Sequence, residues 1–173
     1  MKVPLSWLND YVPVDLPVEE IAYRLTMAGT EVDAIERIGE GWGSAVVVGL
    51  VNDVRQHPNA DRLSLTTVDV GTEEITVVCG APNVAAGQRI AFARVGARLT
   101  NPQTGKLETL KAAQIRGVVS QGMVCSKREL GLGDDHRGIL VLDEDAPIGT
   151  PLTDYMGDVV LDLEVTPKPY QKP

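Results

Sequence analysis

The sequence predicts a mainly β protein: a small barrel or sandwich of short strands, flanked by an α+β piece made from the two chain ends. Three observations predict it. Between positions 46 and 95, short runs rich in β-branched residues alternate with turn signals at Gly71-Thr72 and Gly80-Ala81-Pro82-Asn83. Near the start, Val18, Ile21, Ala22 and Leu25 recur at the spacing that gives a helix one buried stripe. The hydrophobic fraction of 43% over 173 residues fills one ordinary core or two small ones.

The elements follow in order. Pro17 suits the first position of a helix, with Asp15 before it and Glu19 and Glu20 in the first turn, where carboxylates face the positive helix end. Gly29 can take the left-handed cap. Positions 31–38 then alternate as a half-buried strand, with a slip near Ile35. The glycine-rich run 39–44 is a joint and a domain boundary; no Lys-Ser/Thr follows it, so it is a poor phosphate loop. Strands are expected over 46–54, 63–70, 75–79 and 89–95, with further strand material in 106–125 and 138–142. Asn101 to Gly105 is a loop or hairpin tip. Positions 143–148 are an acidic return linker. Positions 151–156 form a short helix or turn, and 159–165 an alternating strand. The expected domains are 1–39 with 151–173, and 40–150 between them.

Composition narrows function. The net charge of −8 argues against nucleic acid, but its distribution does not. Positions 55–137 hold 11 Lys and Arg against 8 Asp and Glu, so the middle is mildly basic inside acidic flanks. That asymmetry fits either a nucleic-acid-facing module or ordinary fluctuation. Aromatic residues make up 4%, too few for a groove that holds single strands by stacking. No apolar run approaches the ~20 residues that span a bilayer, and no secretory signal is visible, so no membrane partner is expected. Cys79 and Cys125 lack CxxC spacing, which fits a reduced cytoplasmic protein and two core residues.

Three short runs stand in fixed order: His57-Pro58-Asn59-Ala60-Asp61-Arg62-Leu63, Val78-Cys79-Gly80-Ala81-Pro82-Asn83-Val84, and Ile115-Arg116-Gly117-Val118-Val119-Ser120-Gln121-Gly122-Met123-Val124-Cys125-Ser126. Together they resemble the tRNA-binding module of the EMAP type. The resemblance implies a five-stranded OB-fold barrel, inserted here into a small discontinuous α+β domain, with tRNA as partner. In such barrels the loop between the first two strands walls the ligand face. Arg62 then projects beside that wall as a phosphate donor; the module usually has Lys there, so a point charge becomes a fork. Pro58 keeps His57 extended, and Asn59 and Asp61 fix the turn. Gly80 to Asn83 is either a tight structural turn or a close approach to a partner. Arg116, Ser120 and Ser126 are the donor types that reach phosphate and ribose oxygens. Lys127-Arg128 is either a solvated face or a further RNA contact. The RNA-binding candidates are therefore Arg62, Asn83, Arg116, Ser120, Ser126, Lys127 and Arg128. Met123 reads as core and His136 as a surface loop residue. No catalytic or metal-ligand constellation is recognised, and Cys125 has no base beside it.

The flanks sharpen the resemblance. Ser6-Trp7-Leu8-Asn9-Asp10-Tyr11, Leu25-Thr26-Met27-Ala28-Gly29-Thr30-Glu31-Val32-Asp33 and Leu161-Asp162-Leu163-Glu164-Val165-Thr166-Pro167 look like the N-terminal part of the bacterial phenylalanine–tRNA ligase beta subunit. That likeness implies an accessory, non-catalytic segment of a synthetase that charges tRNA with phenylalanine, using ATP and magnesium, in an assembly of two alpha and two beta subunits. It implies no cofactor in this segment and no DNA partner. The family continues Asn-Arg after Thr166-Pro167, whereas this chain reads Lys168-Pro169-Tyr170-Gln171-Lys172-Pro173, as either an excised piece or a short protein would. A rival reading is a structural barrel that packs synthetase subunits and touches no RNA.

Overall fold

The computed structural model describes residues 1–101 and 103–165. Along the chain run β1 (Lys2–Pro4), α1 (Leu5–Tyr11), α2 (Val18–Met27) and β2 (Glu31–Ile38). A 3-10 turn (Gly43–Ala45) leads into β3 (Val46–His57), β4 (Ala60–Asp69), β5 (Glu74–Cys79) and β6 (Arg89–Arg94). Five strands of three residues each follow: β7 (Arg98–Thr100), β8 (Leu107–Thr109), β9 (Ala113–Ile115), β10 (Val118–Ser120) and β11 (Gly122–Val124). The chain then forms α3 (Leu152–Met156) and β12 (Asp158–Glu164). The tail 168–173 and the family-like Thr166-Pro167 lie outside the described residues.

Two compact units result. One joins Met1–Ile38 to the segment that begins at Asp158; the other is Gly39–Gly157. In the first, β12 lies between β1 and β2, antiparallel to both. Val18 and Ile21 of α2 bury with Leu161 and Leu163 of β12, while Leu8 and Leu25 pack at the edge of that cluster. Pro17 is the N-cap and Val18 the first helical residue. Gly29 (φ +97°) turns the chain out of α2, and the N–H groups of Gly29 and Thr30 return to the carbonyls of Thr26 and Leu25. Neither α1 nor β1 was anticipated. The alternation slip expected near Ile35 is a register shift opposite Asp162 and Leu163.

The second unit is a five-stranded antiparallel sheet ordered β11-β6-β3-β4-β5, curled into a nearly closed OB-type barrel. Its inner faces supply Val47, Val51, Val68, Val77, Ile90, Phe92 and Val124. The side chain of Ser120 crosses the gap at the open edge, accepting from Val78 N–H at 3.1 Å and donating to Gly122 O at 3.0 Å. Two expectations change here. Positions 138–142 form no strand; only Val141 bridges, to Ile90. Residues 151–157, expected with the chain ends, belong to the barrel unit, because Leu152 is fully buried and Pro151 bridges Val47.

Candidate nucleic-acid interface

His57 closes β3 as a buried residue, 2% exposed. Its Nδ1 accepts the N–H of Asn59 at 3.0 Å, so Nε2 carries the proton given to Ile115 O at 3.2 Å. Asn59 Nδ2 donates to Arg116 O at 3.0 Å. The first run thus grips the third run at the β9–β10 hairpin. That hairpin has a two-residue turn, Arg116 and Gly117, with φ of +49° and +91°. Positive φ at both positions makes the twist of a primed turn fit the strands. Gly, Asn or Asp is the usual occupant; a long charged side chain in the left-handed region costs about 1 kcal/mol. Arg116 stands exposed at this tip, and Arg62 is exposed on β4, just beyond the β3–β4 turn that holds Asn59.

A second cationic group lies past β11. Lys127 is exposed and Arg128 half-buried. The loop 134–141 brings His136 and Arg137 toward them: His136 Nδ1 sits 3.5 Å from an Arg128 nitrogen, and Lys127, Asn83, Asp135 and Arg137 line one cleft of ≈ 590 Å³. His136 is an exposed loop residue, as its sequence context suggests, but nothing in Asp134-Asp135-His136-Arg137 announces that the loop meets Arg128 and Asn83.

Arg62, Arg116, Lys127 and Arg128 form no ion pair among the described residues, as is also true of Arg98, Lys106 and Lys111. Arg62, Arg116 and Lys127 are exposed, whereas Arg128 is half-buried with a guanidinium nitrogen 3.5 Å from His136 Nδ1. Three other candidates are placed differently. Asn83 clamps the loop 134–141: its Oδ1 accepts Ile139 N–H at 2.8 Å and its Nδ2 donates to Ile139 O at 3.1 Å. Gly138 permits that approach, because a Cβ there would lie 2.5 Å from Asn83 Oδ1. Ser120 is 4% exposed and its hydroxyl is spent on the barrel gap. Ser126 is buried, with its hydroxyl and N–H both given to Glu129. Asn83 is exposed and its amide holds the loop, whereas the Ser120 and Ser126 hydroxyls are buried and already partnered, so a phosphate would have to compete for them.

The cysteines are free and buried, and burial pushes both thiols up from their ordinary range, Cys125 furthest. Met123 is half-buried on β11. No helix among the described residues is long and apolar enough to cross a membrane.

A family model described as "Putative tRNA binding domain" matches residues 46–151. Phenylalanine--tRNA ligase beta subunit of Dehalococcoides mccartyi is 52% identical over 96% of this chain and 20% of its own length. The protein of the same name from Salinibacter ruber is 48% identical over 96% of this chain and 22% of its own length. The chain thus spans about a fifth of the length of the curated relatives it matches. A solved structure, a MetRS related protein from Pyrococcus horikoshii, aligns over 61% of this chain and 85% of its own at 24% identity, with a TM-score of 0.44.

Proposed function

Since the chain belongs to the tRNA-binding domain family, with the matched barrel making up most of it, we propose that it holds tRNA as an accessory segment of a phenylalanine–tRNA ligase beta subunit. The supporting observation is a set of cations, the exposed Arg62, Arg116 and Lys127 and the half-buried Arg128, left without carboxylate partners among the described residues on a chain of net charge −8. Fixed forks and a point charge on a rigid barrel grip phosphates without reading bases. The charging reaction belongs to the whole enzyme, with its alpha subunits, two of each kind, in the cytoplasm. ATP and magnesium serve the whole enzyme in this reading, not this segment. The glycine-rich turn at 39–44 packs on the ring of Trp42, itself 4% exposed, and runs into a strand, leaving no cradle for a nucleotide phosphate.

The rival reading, a barrel that packs subunits and touches no RNA, draws on one observation: the polar groups of Asn83, Ser120 and Ser126 already have partners within the chain, and the two serines are buried. Binding of the chain to a tRNA transcript separates the two. Arg116→Ala and Lys127→Ala should each weaken binding by about three- to tenfold at low salt with unchanged melting, as charge-assisted phosphate contacts do. Glu144→Gln should not weaken it. Equal behaviour of all three, or no binding by the folded chain at low salt, favours the packing module.

A further inference from the structure

The cleft beside Lys127 already contains an acid. Asp135 Oδ1 accepts both the backbone N–H and Nε of Arg137, each at 3.2 Å. Asp135, Arg137 and Lys127 line the same cleft, whose wall at Ile139 is fixed by the Asn83 clamp. A carboxylate and a phosphate offer a guanidinium the same kind of acceptor oxygens. We propose that this cleft seats an RNA backbone phosphate on Arg137 and Lys127, and that Asp135 holds the seat in the free chain as a resident competitor. The inference rests on the tRNA-holding reading and adds Arg137 and Asp135 to it.

The physics of exchange supports the arrangement. The Arg137–Asp135 pair is exposed, and such pairs are worth little, so a phosphate can replace the carboxylate at small cost. The hydrogen bonds from Arg137 and the nearby charges of Arg137 and Lys127 hold the Asp135 carboxyl below its usual range, so the competitor stays charged at neutral pH. Asp135 therefore sets a threshold. A stray anion gains little by displacing it. A folded RNA that also engages Arg62 and Arg116 brings several phosphates at once and overcomes it.

The test is binding of a tRNA transcript to four folded variants at low and moderate salt. Asp135→Asn should bind about two- to fivefold tighter than the parent chain, the range a surface ion pair commands. Its salt slope should steepen by up to one phosphate's worth. Asp135→Glu, which keeps the charge, should stay near the parent. Asp134→Asn removes an equal charge next door and should gain less; an equal gain would mean a general charge effect and overturn the seat. Arg137→Ala in the Asp135→Asn background should erase the gain; a gain that survives it also overturns the seat. Should Asp135→Asn melt early, Asp135→Ser serves in its place. If the parent binds and Asp135→Asn does not bind tighter, the competitor is wrong while tRNA holding stands. If neither binds at low salt, both readings fall.

Discussion

Under the proposed tRNA-holding role, Arg116 sets local against functional demands. Its backbone sits at φ +49°, where Asn or Gly costs less, and Asn59 holds its carbonyl in place. Arg116→Asn should therefore leave melting unchanged or raise it by the equivalent of about 0.5–1 kcal/mol, while lowering tRNA affinity. A drop in melting temperature would show that the guanidinium stabilises the hairpin. Cys125 is the opposite case, a chemically capable group with no access. It is fully buried and its thiol is pushed far up. Thiol reagents at pH 8 should modify it only as fast as the native state opens, and quickly in denaturant; prompt labelling of the native chain would contradict the burial. At this scale the sequence disclosed donor types but not where their bonds go. Ser120 and Arg116 stand in one motif, yet one hydroxyl closes a barrel and the other side chain faces water. Only the approach of β5 to β10, where Val78 N–H meets the Ser120 hydroxyl, separates them.

Among elements, β3 to β6 are legible as apolar runs between turn signals, whereas β11 falls only within the strand material expected over 106–125. The strand ends are not. β3 and β4 extend through His57 and Ala60 because the imidazole bonds tie the turn into the ladder, which alternation cannot reveal. The helix α1 spans only seven residues, so Leu5 and Leu8 give a single i, i+3 pair and not a stripe, and Pro4 at its N-cap makes no side-chain cap. Positions 138–142 fall short of the expected strand because Asn83 caps Ile139 by side chain, leaving only the Val141 bridge to Ile90. The barrel edge yields a test. Ser120→Ala strands the Val78 N–H and removes the link to Gly122 O, and should cost ~1–3 kcal/mol, a loss of several degrees in melting. A neutral result would mean that water or a shifted strand closes the gap.

For the whole molecule, the two chain ends meet in one sheet with β12 at its centre, so neither end can bury its own apolar face. We propose that this unit folds as a single domain around the barrel insertion. Deleting the chain from Asp158 onward should expose the stripe of Val18 and Ile21 and produce aggregation or loss of one cooperative transition. A 1–157 chain that melts like the parent would contradict it. The family-like flanks were readable as motifs long before their geometry was, since sheet order across more than a hundred residues leaves no local trace. The central claim, that the barrel grips RNA backbone through a few unpaired cations, is tested most directly by the salt dependence of tRNA binding to this chain. With about three phosphates neutralised, log K against log salt should fall with a slope of roughly −2 to −3, whereas a flat dependence, or no binding at low salt by a folded chain, would contradict the account.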